Sequence, residues 1–555
     1  MRRTEPSVAE ARRARSPVAR AIVSNAVPVG IFAAALAVRL WHIDWALPTA
    51  SRLFSFHPDE AVVVSHALDP FRLQLDPKFY AYGALPLLLD GAAIHLGRAV
   101  GFIGPDPAPG VPGAHALLVA RLVTALLGAA TCLFLCGAGR ALYDRRAGRV
   151  AACLYACAPL AVQHGHWATV DVTATCFVAG AFYFTARAAS APDGDPTSIL
   201  WAGAWSGFAA ASKYNGALML LPVLVVWWIR EPRRLPVVVV TLLSFVTALV
   251  VACPTLLLNP GGVLEDVQRE AQHMSAGHGA VFRGTGSGFV YQVAHNLDWG
   301  LTTPLLLWVL AGVVGASVRR SRADAIVAAF ALPYYVVIGL ASVKFARYAL
   351  PLLPALLLWA GALVTSMTRW RRDAGRAAMV VVGFPATWAL LFALALDRSM
   401  GGRDPRDDAA DFVRSRGDIA KVGFATGPWF YSPSLAPSLG NPDIAVARAS
   451  VAASALPVLV APSKSWNAES IAGGALDAVA VSETEYGDMQ RLANPLALSY
   501  LASVERMLPQ AHVFARPVEL FGLRFTTLDT HRGLPEQSLP HDMGYTNPTE
   551  VVFTR

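Results

Sequence analysis

The chain has 555 residues, 55% apolar and 15% charged, with a mean hydropathy of +0.45 and a formal charge of +8. Charged residues make up about a quarter of an ordinary soluble domain, so this composition excludes a soluble globular enzyme. The basic surplus does not indicate a nucleic-acid partner, because it lies in the apolar part: residues 1–397 carry 32 Lys and Arg against 21 acids, and residues 398–555 carry 14 against 17.

A helix that crosses a bilayer needs about 20 mostly apolar residues, and basic residues gather at its cytoplasmic end. The first apolar run, Ala21 to Trp41, follows Arg2, Arg3, Arg12, Arg13, Arg15 and Arg20, which predicts a cytoplasmic N-terminus and an uncleaved signal-anchor. Residues 44–113 then form a large first outer loop. Within it Leu85 to Phe102, interrupted by Asp90, His95 and Arg98, reads as a helix lying at the interface. The further runs are His115 to Tyr143, Ala147 to Trp167, Val172 to Ala186, Ile199 to Ser212, Gly216 to Ile229, Leu235 to Leu258, Leu301 to Val318, Ala325 to Val343, Leu350 to Ser366 and Ala377 to Leu396. About eleven spans are predicted, the two short runs around Lys213 being tilted or partly buried in protein. Clusters at Arg140/Arg145/Arg146/Arg149, Arg187, Arg230/Arg233/Arg234, Arg319/Arg320/Arg322 and Arg369/Arg371/Arg372/Arg376 then all fall on the cytoplasmic side.

An odd number of spans leaves residues 398–555 outside the cytoplasm. They open with a helix-like Asp404 to Arg416 and continue with the β-type runs Lys421–Thr426, Val458–Pro462, Leu476–Ser482 and Leu520–Leu528 and a helical pattern at Leu496 to Leu508. Strands alternating with helices predict a small α/β domain. The six cysteines, Cys132, Cys136, Cys153, Cys157, Cys176 and Cys253, lie inside apolar runs with no His or acid beside them, and read as small buried residues on helix faces. None falls in 398–555, so no disulfide staples that part.

The chemistry-bearing residues lie at the outer ends of the predicted spans. Residues 1–397 hold just three lysines, Lys78, Lys213 and Lys344, all placed on the outer face against the positive-inside trend. Asp59 and Glu60, in Phe56-His57-Pro58-Asp59-Glu60, can supply a general base, a cation ligand or plain solvation at a helix N-terminus. His164, His166 and Asp171 can approach a cation or merely wet a helix end, though a carboxylate at the mouth of a span is costly unless paired. Lys213-Tyr214-Asn215-Gly216 and Lys344-Phe345-Ala346-Arg347-Tyr348 suit a lipid phosphate, with snorkelling to bulk head groups as the alternative. The segment Asn259 to Asp298, with His273 and His278, reads as an extended loop.

The HPDE at His57 to Glu60, Lys78-Phe79-Tyr80-Ala81-Tyr82-Gly83, Arg121-Leu122 opening a span, the Asp171 loop, Ser212 to Gly216 and the KFARYALPLLP ending at Pro354 occur in an order that resembles a known family. It is the polyprenyl-phosphate-sugar-dependent glycosyltransferases of the GT-C fold, related to protein O-mannosyltransferases and lipid A aminoarabinose transferases. The resemblance covers most of 1–397 and only loosely 398–555. It implies an α-helical polytopic membrane protein, a GT-C-like catalytic module at 1–397 and an extracytoplasmic α/β domain at 398–555, in the inner or plasma membrane. It implies Asp59 as the catalytic acid/base, Asp171 as the second-loop acid assisting acceptor or cation binding, and Lys213 and Arg347 holding the lipid phosphate. Tyr214, Lys344, Arg121 and Lys78 complete the donor-binding set. Family members differ in using a divalent metal, for which His57, Glu60 and His166 are candidate ligands. The implied partners are a polyprenyl-phosphate-linked sugar, an extracytoplasmic acceptor and membrane lipid, with no nucleic acid. Transfer with inversion is the leading reading. A lipid-linked glycan flippase or ligase, and a membrane sensor or scaffold, are the alternatives. A transporter would show midplane charges and repeated halves, and no repeat is seen here.

Overall fold

The computed structural model describes residues 17–68, 74–107, 110–190, 196–230, 235–370, 372–437, 439–440, 458–460, 466–472, 476–529, 534–537 and 539–555. Arg2, Arg3, Arg12, Arg13, Arg15, Arg233, Arg234 and Arg371, which the sequence reading used to orient spans, lie outside the described residues.

Helices stand over each apolar run, and the chain is a multi-pass membrane protein. Among the described residues six helices are long and apolar enough to cross a membrane, among them Ala114–Leu142, Val170–Ser190 and Arg322–Leu340. Three shorter apolar helices, Ala26–Leu40, Tyr214–Arg230 and Thr303–Arg319, accompany them. Small residues let the backbones close up: Gly139 of Ala114–Leu142 faces Gly148 of Arg145–Cys157 so tightly that a Cβ on either would meet the other helix's backbone. The cysteines are free; Cys132, Cys136, Cys176 and Cys253 are buried, whereas Cys153 is exposed.

Breaks in these helices set up the site. Arg145–Cys157 ends before Pro159, whose ring lacks an N–H and clashes with a continuing turn. A short helix, Pro159–Gln163, and a 3-10 turn, His164–His166, follow. Lys213 is extended, with φ −151° and ψ 126°, and separates the helix Pro196–Ser212 from a 3-10 turn at Tyr214–Met219. A further 3-10 turn, Ala346–Leu352, precedes the helix Leu353–Trp370.

Two expectations are corrected. The segment Asn259 to Asp298 is not an extended loop: Pro260–Ala276 is a helix, begun by Pro260 and by the Asn259 side chain, which accepts the Gly262 N–H at 3.1 Å. Leu520–Leu528 is not a strand of the main sheet but turns back on itself in a two-residue hairpin, Glu519–Leu520 with Leu523–Arg524.

Beyond the helices lies a five-stranded sheet: β1 (Val422–Phe424), β2 (Val458–Val460), β3 (Ala478–Ser482), β4 (Gln510–Phe514) and β5 (Glu550–Thr554), in the order β2-β1-β3-β5-β4. β1 runs parallel to β2 and β3, while β5 is antiparallel to β3 and β4, with Ala480 opposite Val552. Strand alternation sorts its side chains onto two faces. Val479, Val481, Val551 and Phe553 pack with Tyr486, Tyr500 and Leu501 of the helices Glu483–Arg491 and Pro495–Met507. Ala478, Ala480 and Val552 pack with Ala409, Ala410 and Val413 of Pro405–Ser415.

Candidate active site

His57 caps the helix Pro58–Ala67: its Nδ1 accepts the Asp59 N–H at 3.2 Å, and Pro58 presets the first turn. Successive helical residues point about 100° apart, so Asp59 and Glu60 face different neighbours. Glu60 turns inward to Arg121, fully buried with it. Arg121 donates through Nε and Nη2 at 2.8 and 2.7 Å, and its Nη1 is held by the carbonyls of Ile43 and Trp45. Ser55 Oγ and the Ala168 N–H also donate to Glu60.

Asp59 faces outward to Arg347, 3.1 Å from Oδ2 to Nη2. Arg347 is the hub, 4.0 Å from Asp171 Oδ2 and 3.7 Å from Asp542 Oδ2, its guanidinium 4.0 Å over the Phe345 ring. Lys213 donates to Asp171 Oδ1 at 2.6 Å and sits 4.4 Å over the Tyr348 ring. Three carboxylates thus share two cations, so one negative charge is left over. Burial pushes the Asp59 carboxyl up, but the opposing charges, Arg347 first and Lys213 after it, outweigh it and hold the group below its ordinary value. Burial lowers His57, in keeping with a neutral ring that accepts the Asp59 N–H.

The structure brings together Asp59, Asp171, Lys213 and Arg347. Tyr214 stands behind them, donating to the carbonyls of Tyr80 and Tyr82 at 2.9 and 3.1 Å. Lys344 points away, donating to Thr285 Oγ1 and the Gly286 carbonyl at 2.8 and 2.6 Å. Lys78 is exposed and pairs with Asp76 at 2.5 Å. Arg121 belongs to the buried pair with Glu60, where its donors are taken up. The candidate metal ligands are not gathered: His166 bonds the carbonyls of Val162 and Trp41, Glu60 is held by Arg121, and His57 caps its helix. Among the described residues no group of three or more His, Cys, Asp or Glu side chains is arranged to hold a metal ion. The residues present do not fit a metal centre.

The sequence reading missed Asp542. Fully buried, it accepts the backbone N–H groups of Ala346 and Arg347 at 2.9 Å each, and its Oδ2 lies 3.8 Å from His164 Nε2. Its neighbours enclose the site from the same side. Tyr545 stacks edge-on with His57 at 5.2 Å, and His541 lies 5.7 Å from the Phe345 ring. Burial pushes His541 down to about 4, His278 and Arg347 adding to this against Asp542. Gln163 Nε2 donates to the Met543 carbonyl at 2.9 Å, and Asn547 Nδ2 to the Ser399 carbonyl at 2.9 Å. One signal was available: Pro540-His541-Asp542 repeats the His, Pro and Asp of the HPDE turn, without its Glu.

Residues 113–257 match the dolichyl-phosphate-mannose-protein mannosyltransferase family. No curated protein matches the chain in sequence. In structure the chain resembles the archaeal oligosaccharyltransferase AglB from Archaeoglobus fulgidus in complex with an inhibitory peptide and a dolichol-phosphate, with TM-score 0.52 and 13% identity over 95% of this chain and 77% of that one. The A. fulgidus oligosaccharyltransferase in the apo form gives TM-score 0.51 and 14% identity over 86% and 72%. ArnT from Cupriavidus metallidurans bound to undecaprenyl phosphate aligns at TM-score 0.49 with 14% identity over 89% and 96%. The family match over 113–257 and the likeness to the two A. fulgidus oligosaccharyltransferase structures place the chain in the GT-C glycosyltransferase fold.

Proposed function

We propose that the protein transfers a sugar, with inversion, from a polyprenyl-phosphate carrier to an acceptor outside the cytoplasm. The observation that carries this reading is the ion-pair chain Asp59–Arg347–Asp171–Lys213, which puts a carboxylate base beside two cations suited to a phosphate. The fold, and the dolichol-phosphate bound by the structurally similar AglB, support a lipid-linked donor. About eleven spans with a cytoplasmic N-terminus, and residues 398–555 as an extracytoplasmic α/β domain, complete the proposal.

In the reaction an acceptor hydroxyl attacks the anomeric carbon while Asp59 takes its proton. The bond from that carbon to the phosphate oxygen breaks, and its electron pair goes to a phosphate held by Arg347 and Lys213. A phosphate monoester dianion leaves without a general acid. Asp171 aims both cations. Asp542 positions Arg347 through the backbone. The ion pair couples binding to chemistry: a phosphate on Arg347 competes with Asp59 for the guanidinium, and the carboxylate regains basicity only once the donor is in place.

Purified protein given a panel of dolichyl- and undecaprenyl-phosphate hexoses and pentoses tests this. Turnover releasing free polyprenyl phosphate supports it. Turnover only with a polyprenyl-diphosphate-linked oligosaccharide as donor, releasing polyprenyl pyrophosphate, would favour the ligase reading. Movement of the intact carrier lipid between leaflets without turnover would favour the flippase.

A further inference from the structure

A groove of about 310 Å³ lies at the end of the bundle away from Asp59, between Pro17–Leu40 and the hairpin of Ala114–Leu142 with Arg145–Cys157. Arg140, Arg145 and Arg149 line one end of it, and Pro28, Leu133, Phe134 and Tyr183 the rest. No acid lines it. The nearest in sequence, Asp144, turns inward, its Oδ1 accepting the N–H groups of Arg146 and Ala147 and the Thr365 hydroxyl at 2.8, 2.9 and 3.0 Å.

These arginines differ from Arg319 and Arg230 at two other helix ends. Arg319 is paired with Asp324 at 2.8 Å, and Arg230 donates to the carbonyls of Ala188 and Ala189 at 2.8 Å each. Arg140, Arg145 and Arg149 form no ion pair or side-chain hydrogen bond with any described residue. Positive-inside charge alone accounts for arginines at this end but not for three unpaired guanidinium groups around one concavity. The walls select further. Phe134 and Leu133 stand about 9 and 10.5 Å up the helix from Arg140 at 1.5 Å per residue, and Leu133 and Val29 are exposed. A free anion would gain nothing from that apolar wall. A phosphate with acyl chains would use both ends, as basic pockets between membrane helices do.

We propose that this groove binds the phosphate head group of an anionic glycerophospholipid, with its acyl chains lying along Leu133, Phe134 and Pro28. The proposal is independent of the transfer reading and concerns a separate site.

The test gives the purified full chain phosphatidylglycerol or phosphatidylcholine with matched chains, and reads retention by native mass spectrometry. The wild type should retain phosphatidylglycerol in preference. Arg140→Gln/Arg149→Gln should lose about fivefold for each arginine removed, and Arg320→Gln, on another loop, should lose nothing. Equal retention of the two lipids by the wild type, or equal phosphatidylglycerol retention by wild type and double variant, would overturn the proposal. So would displacement of the lipid by millimolar inorganic phosphate, which would make the groove a free-anion site. Should the double variant not fold, a diazirine-bearing phosphatidylglycerol on wild-type protein decides: crosslinks within 133–149 support the site, and crosslinks only elsewhere sink it.

Discussion

Asp542 lies 195 positions beyond Arg347, yet its two carboxylate oxygens accept the N–H groups of Ala346 and Arg347 at 2.9 Å each. The turn carrying the hub cation is therefore clamped from the far end of the chain. Asparagine in place of Asp542 can offer one acceptor, and its amide would face the other N–H. The unmet group costs about 1–3 kcal/mol, or roughly five- to 150-fold. We expect D542N to weaken donor binding by a factor in that range while acceptor KM changes little. A loss of thermal stability with unchanged donor affinity would reduce Asp542 to a structural role.

Asp59→Asn should lower transfer by about 10²- to 10⁴-fold, the usual worth of a positioned base. Polyprenyl-phosphate affinity should hold or rise, since Arg347 loses its competing anion. Isothermal titration beside single-turnover assays separates the two effects. Wild-type turnover in D59N would remove the base assignment.

The pH dependence follows from the same pair. Asp59 of the donor-free protein is held below its ordinary value chiefly by Arg347 acting against burial, so it is ionised at neutral pH and kcat/KM falls only when pH drops through that lowered value. Arg347→Gln leaves burial unopposed by the nearest cation. The acid limb of kcat/KM should then move to higher pH, alongside poorer donor binding. An acid limb that stays in place would mean another group sets it.

Arg121 and Glu60 are both fully buried and joined bidentately. Removing one partner strands a charge, at about 3–5 kcal/mol. Arg121→Met should accordingly lower the thermal unfolding temperature far more than the double variant Glu60→Gln/Arg121→Met. If instead R121M leaves the melting curve alone and loses donor binding, Arg121 contacts the phosphate after all.

Glu485 lies at the first turn of the helix Glu483–Arg491, where burial pushes its carboxyl from 4.5 up to about 7 against the Thr426 hydroxyl bond. Below pH 4.5 the folded and unfolded chains both hold the proton. Between there and about 7 only the unfolded chain ionises, so stability falls as pH rises and is level above that. Glu485→Gln should raise the unfolding temperature at pH 8 more than at pH 5. An equal change at both values would refute the ionisation account.

The membrane helices were legible because most apolar runs are long and uninterrupted by charge, the short pair around Lys213 excepted. Asp59, Asp171, Lys213 and Arg347 were legible because each is an ionisable island in an apolar background, where burial has a high cost and a partner is required. What separates Asp59 from Glu60 was not legible: it depends on Arg121, 61 positions away, meeting one carboxylate and not the other. Asp542 was hidden for the opposite reason, a polar residue in a polar loop. Pro260–Ala276 was missed because its surface is largely polar, with only Val263 buried, although Asn259-Pro260 announced its start. The strand Gln510–Phe514 has no clean alternation of exposed and buried residues, and Glu550–Thr554 is buried throughout.

The clamp at Asp542 also orders events during synthesis. Arg347 and Lys213 enter the membrane with their helices long before residues 541–547 have been translated, and the three carboxylates meet only when that late segment folds back. A nascent or cleaved chain lacking it would carry the charges without their arrangement.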